Sequence, residues 1–201
     1  MAKLAAHNGR TILDYSAEGQ TAEADLDATC SEVLATIQAA DGDARHAFAV
    51  FKVSGLSSNA LLEKVGKVMA GGEALNREDE AAWGRVQRRV RTLCEATANA
   101  GGRVMIDAEE SWIQDAIDAL AEDMMSDYNR DRVVVYNTVQ MYRHDRLAYL
   151  EAMAARAEEG GYLCGVKLVR GAYMEKERER AAQQGYPSPI QPDKTASDRD
   201  F

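Results

Sequence analysis

The sequence predicts an α/β protein built on a parallel sheet, a TIM-like (β/α)8 barrel cut short after about five β/α units. Three observations predict it. Short apolar runs alternate, five times in succession, with longer stretches whose apolar residues recur at helical spacing. The fourth run, from Val133 to Thr138, is dense in β-branched residues, as a strand buried on both faces should be. No Gly-x-Gly-x-x-Gly follows the first run, which disfavours a dinucleotide-binding doubly wound sheet.

Each element has its own signal. Thr11 to Ser16 reads as the first strand, followed by a helix with Leu26, Cys30, Val33, Leu34 and Ile37 on one face. Phe48 to Val53 is the second strand, and Ser57 or Ser58 can cap the helix that carries Leu61, Val65, Val68 and Met69 on one side. Residues 70–80 are polar and contain glycine, as an inserted loop or a short extra helix would. A longer helix then carries Trp83, Val86, Val90, Leu93 and Cys94 to a stop at Gly101 and Gly102. Arg103 to Ala108 is the third strand, with Ile113, Ala116, Ile117, Leu120 and Met124 on the helix after it. The helix after the fourth strand shows Leu147, Leu150, Ala154 and Ala157, closed by Gly160 and Gly161. The fifth strand lies within Leu163 to Tyr173, and the charged run after it, Met174 to Ala182, reads as helix. Residues 185–201 hold all three prolines and are expected to form a tail loop.

Composition bounds the function. A chain of 201 residues can bury a substantial core. A net charge of −9 argues against a nucleic-acid binder, which needs a basic face. No apolar run reaches the roughly 20 residues that span a bilayer, and no signal-peptide pattern opens the chain. Cys30, Cys94 and Cys164 are far apart and odd in number, which suggests reduced thiols. His7, His46 and His144 lack ligand spacing, so no metal is expected.

In a barrel of this kind the functional groups sit at the carboxyl ends of the strands. Those ends carry Asp14 and Glu18, Lys52, Asp107 and Glu109, Asn137 and Gln140, and Lys167 and Arg170. Lys167 and Arg170, next to a helix start, suit an anionic ligand such as a pyrophosphate. Tyr136, Tyr142, Trp83 and Trp112 read as packing.

The motifs VMIDAEES, VVYNTVQMY and VKLVRGAYMEKERERAAQQGYPSPIQP strongly resemble the proline dehydrogenase family, from about Thr11 onward. The resemblance implies an FAD flavoenzyme that oxidises L-proline to 1-pyrroline-5-carboxylate on a distorted barrel. It implies that Lys52 lies close to flavin and substrate, that Asp107 is an active-site aspartate, and that Gln140 hydrogen-bonds the flavin ring. Lys167 matches a basic residue near the reactive flavin nitrogen, and Arg170 one beside the FAD phosphates. Tyr173 matches a tyrosine packing near the substrate, and Glu18 a glutamate that pairs with an arginine to close over proline. The implied electron acceptor is a quinone, with peripheral association to a membrane. The implied location is the cytoplasm of a bacterium or a mitochondrion.

A complete barrel takes roughly 250 residues, so the chain reads as a fragment expected to be inactive by itself. Either the chain is incomplete or a C-terminal half or a second copy supplies the rest. Two other readings compete. One is a half-barrel binding and oligomerisation module with weak or no flavin affinity. The other is an aldolase-like barrel in which Lys167 forms a Schiff base, which would require a depressed pKa.

Overall fold

The computed structural model describes residues 7, 9–14, 19–40 and 46–201, without the side chains of Leu13 and Asp14. Five strands form one parallel sheet in the order of the chain: β1 (Thr11–Asp14), β2 (His46–Phe51), β3 (Val104–Ile106), β4 (Val135–Gln140) and β5 (Val166–Val169). The helices α1 (Glu23–Ala39), α2 (Asn59–Met69), α3 (Arg77–Asn99), α4 (Ser111–Tyr128), α5 (Arg146–Gly160) and α6 (Met174–Gln184) connect or follow them, and α7 (Lys194–Asp200) comes last. Each strand pairs with its sequence neighbours, which is the winding of a (β/α) barrel; a doubly wound sheet reverses its strand order partway. The α/β barrel expectation therefore holds for the five units present.

The core lies between the sheet and its helices. Ala49, Phe51, Val104, Ile106, Val135 and Val139 point from the strands into one cluster with Leu62, Val90, Leu93, Ile113, Ile117 and Met125. Local chemistry sets the helix ends. Ser58 Oγ accepts from the Leu61 N–H at 3.3 Å, and Asn76 Oδ1 accepts from Glu78 and Asp79 N–H, each at 2.9 Å. Arg89 of α3 reaches the first turns of α1, donating to Asp27 at 2.8 Å and pairing with Glu23, and it also donates to the Leu56 carbonyl at 3.1 Å. Arg85, which donates to Glu23 at 2.8 Å, and Arg89 hold the Glu23 carboxyl down at about 2. Among the described residues no helix is long and apolar enough to cross a membrane.

The structure moves several boundaries. β2 ends at Phe51, and Val53 already belongs to a short 3-10 turn, Val53–Gly55. β4 starts two residues later than expected. The buried Asn129 amide accepts from Val134 and Val135 N–H at 2.9 and 2.8 Å and donates to the carbonyls of Val135 and Leu163. That side chain takes over hydrogen bonding that a longer strand would have made. The polar stretch 70–80 is loop only as far as Asn76, whose cap starts α3 at Arg77.

The helix after β4 corrects the expected face. Ala154 is exposed and Leu147 is 40% exposed, whereas Arg146, Met153 and Ala157 are buried. Arg146 turns inward because Asp118 of α4 pairs with it at 2.5 Å, and its guanidinium lies 3.8 Å from the centre of the Tyr149 ring. Residues 185–201 are also more than a loop. His144 N–H donates to the Pro189 carbonyl, Gln191 N–H donates to the Tyr142 carbonyl, and Arg143 bridges to Ile190. Asp193 then caps α7, accepting from Ala196 N–H at 2.8 Å.

Candidate functional site

The parallel register arranges the site. Phe51 pairs with Ile106, Ile106 with Asn137, and Thr138 with Lys167. One residue further along, Lys52, Asp107, Thr138 and Lys167 form a single row across four strands. Because side chains alternate, this row faces away from the helix-covered core. The same concave face carries Phe48 and Tyr136, whose rings meet edge to face at 5.2 Å, and half-buried Met105 and Val169.

Within the row, Lys167 pairs directly with Asp107, whose Oδ1 also lies 3.4 Å from Thr138 Oγ1. Both members of the pair keep some exposure, 30% for Lys167 and 21% for Asp107, so they remain open to a ligand on the concave side. Lys52 is half-buried at the end of β2, next to the backbone link in which Asp107 N–H donates to the Phe51 carbonyl at 3.0 Å.

Gln140 stands one step above the row and is 3% exposed. Its Nε2 donates to the Glu109 carbonyl at 2.8 Å, and its Oε1 accepts from Ala172 N–H at 3.1 Å. A primary amide has two N–H groups and two lone pairs, so one of each remains for another partner.

Other expected members diverge. Asn137 faces the helices, donating to Asp118 at 2.9 Å and Tyr149 at 3.0 Å, and does not join the concave face. Lys167 and Arg170 do not converge on one anion. Residues three apart on a strand point to opposite faces. Arg170 donates to Asp198 of α7 at 2.6 Å and stacks 4.2 Å from the Phe201 ring, half-exposed. Lys194 and Arg170 together hold the Asp198 carboxyl below its ordinary range. Tyr173 precedes α6, its N–H donating to the Tyr142 hydroxyl at 3.3 Å and its ring 5.5 Å from Lys176 Nζ. Glu18 and the side chain of Asp14 lie outside the described residues.

The loop after β5 depends on Gly171. Its φ is +136°, and a Cβ there would collide with the ring of Tyr142. This close passage lets the Ala172 and Tyr173 N–H groups reach Gln140 and Tyr142.

Two more residues shape the site: Glu109, one of the strand-end groups named above, and Glu177, which no motif singled out. Glu109 is buried behind the row, its Oε1 accepting from Ser54 N–H at 2.9 Å. Burial is the main cause that pushes its carboxyl up to about 7. Glu177 of α6 is fully buried and accepts from Ser111 N–H and Oγ, each at 2.6 Å, so it neutralises the N-terminus of α4 from another helix. Glu109 at a strand end was a readable signal. Nothing in the spacing of Glu177 distinguishes it from its charged neighbours.

Comparisons with known proteins agree with this fold. The proline dehydrogenase family profile matches residues 1–201. The carbapenem antibiotics biosynthesis protein CarD of Pectobacterium carotovorum subsp. carotovorum is 36% identical over 167 residues, covering 83% of this chain and 43% of that protein. Proline dehydrogenase 1, mitochondrial, of Drosophila melanogaster is 37% identical over 115 residues, 57% of this chain and 17% of that one. The chain thus spans less than half the length of either relative. In fold it resembles proline utilization A (PutA) from Bdellovibrio bacteriovorus, solved as the protein inactivated by N-propargylglycine. The TM-score is 0.79 at 18% identity, covering 98% of this chain and 21% of that one. By the match over its full length, the chain belongs to the proline dehydrogenase family.

Proposed function

We propose that this chain forms part of a site that oxidises L-proline to 1-pyrroline-5-carboxylate with FAD. The observation that carries the reading is the row of Lys52, Asp107, Thr138 and Lys167 on the concave face, with the spare donor and acceptor of Gln140 beside it. The donor set fits a flavin, since an amide with one free N–H and one free lone pair complements a ring bearing both kinds of group. FAD, when bound, supplies the two-electron acceptor for the hydride. In the reaction the substrate loses a hydride from the ring carbon next to nitrogen and a proton from the nitrogen, leaving a C=N bond.

The chain's own residues orient and polarise. Lys52 and Lys167 set a positive field on the concave face that favours the neutral amine and stabilises negative charge on the reduced acceptor. Asp107 holds Lys167 in place and tempers its charge. Gln140 holds the ring edge, and Tyr173 packs by the substrate. Glu18 contributes to closing the site over proline. Arg170 serves the phosphates only by giving up part of its contact with Asp198 and Phe201. Electrons pass onward to a quinone, with the protein at the surface of a membrane.

We further propose that the 201-residue chain does not turn proline over by itself. Tyr136, Lys167 and Val169 remain half-exposed on the concave face, where the chemistry needs water excluded. The visible absorption spectrum of the purified chain, with and without proline, tests both proposals. Flavin bands that proline does not bleach are the expected result. Bleaching would overturn the proposed inactivity. A colourless protein that binds no added FAD, and that forms a stable homo-oligomer, would replace the flavin reading with a binding module.

A further inference from the structure

The loops at the strand ends are tied together around one buried residue. Glu109, 3% exposed, accepts through Oε1 from Ser54 N–H at 2.9 Å, in the turn immediately after Lys52. Its own N–H donates to Gln114 Oε1 of α4 at 2.8 Å, and its carbonyl accepts from Gln140 Nε2 at 2.8 Å. Gln140 in turn accepts from Ala172 N–H at 3.1 Å, beyond β5. The loops after β2, β3 and β5 and the last residue of β4 are therefore joined in one chain of hydrogen bonds.

We propose that Glu109 is a positioning residue of this site, holding Lys52 through the Ser54 turn and the Gln140 amide through its own backbone, and that its charge state is felt at both. The significance for flavin chemistry rests on the function proposed above. A neutral Glu109 leaves the cationic field of Lys52 undiminished. An ionised Glu109 opposes that field through an interior where charges are poorly screened.

Burial pushes the Glu109 carboxyl up to about 7, within reach of ordinary pH. The Ser54 hydrogen bond works against that shift, Glu110 adds to it, and Lys52 opposes it. The charged groups packed about it come from every neighbouring element. They are Lys52 after β2, Glu110 on its own loop with Lys176 of α6 paired to it, and Asp118 of α4 through Gln114. The Asp107–Lys167 pair lies across the row, and Glu177 sits at the start of α4.

Nuclear magnetic resonance of the labelled 201-residue chain, between about pH 5 and pH 9, tests this without flavin. The Ser54 backbone amide, the Gln140 side-chain amide and the Lys52 side chain are expected to shift together with one midpoint near 7. In Glu109→Gln all three should stay flat, while protection of Ser54 N–H from exchange persists. In Glu109→Ala that protection should fall about tenfold or more. If Glu109→Ala does not fold, the isosteric Glu109→Gln carries the test. Titration of Ser54 alone would make Glu109 a turn cap and overturn the proposal, as would an unchanged titration in Glu109→Gln. Absorbance of added FAD on the same sample separates the two readings. No flavin binding with coupled shifts sinks the function and leaves Glu109 in its role; flavin binding with flat Gln140 and Lys52 signals does the reverse.

Discussion

On the helix-covered face of the sheet, Phe51 and Ile106 are sealed to 1% and 0% exposure among Leu, Ile, Val and Met side chains. One residue along the same two strands, Lys52 and Asp107 face the other way and stay partly open, as does Lys167, with buried Thr138 between them. The backbone is shared, so the contrast comes only from the two-residue period of a strand. One face supplies the hydrophobic stabilisation of the domain, and the other is left to carry charges that bind and polarise. A polar exception on the covered face is Asn137, which is accommodated by a buried network of Asp118, Arg146 and Tyr149.

That contrast can be broken or sharpened by substitution. The largest loss of stability should come from Asp118→Ala, about 4 kcal/mol in denaturant unfolding, because it strands the Arg146 guanidinium in the interior. A loss under about 1 kcal/mol would show that water reaches the pair. Ile106→Ala on the covered face should cost about 3 kcal/mol, whereas its neighbour Met105→Ala on the concave face should cost about 1 kcal/mol or less. Equal costs would mean that the concave face is packed in solution.

The pH dependence comes next. The Glu109 carboxyl is raised from 4.5 to about 7 in the folded chain, so the folded state holds a proton that the unfolded state releases. Its contribution is full below the unfolded value and is lost as pH rises toward about 7, by up to about 3 kcal/mol. Unfolding followed across that window should show the decline, and Glu109→Gln should remove it. The smallest effect on stability is expected for Lys167→Met, within about 1 kcal/mol, since its ion pair is part-exposed. In a flavin-loaded assembly that does oxidise proline, the same change should slow flavin reduction about a hundredfold. Unchanged reduction would remove Lys167 from the site.

Much of this was legible in the sequence. The β/α alternation, the apolar faces of α1, α3 and α4, and the strand-end location of Lys52 and Asp107 all follow from local periodicity, whereas Met69 of α2 is 50% exposed with Leu62 buried in its stead, and Lys167 lies inside β5. The failures differ in cause. The face of α5 was misread because Arg146 counts as polar in a pattern, yet a carboxylate on another helix draws it inside. Lys167 and Arg170 looked like one cationic site until alternation sent them to opposite faces.

By itself, then, the sequence determined the order and type of the elements, and its motifs determined the family, because periodicity and turn chemistry are properties of neighbouring residues. The tertiary structure decided which carboxylate meets which cation. Asp107 with Lys167, Asp118 with Arg146, and Glu109 between Ser54 and Gln114 are pairings across strands and helices. Register and helix packing select these partners, and both become defined only when the chain has folded.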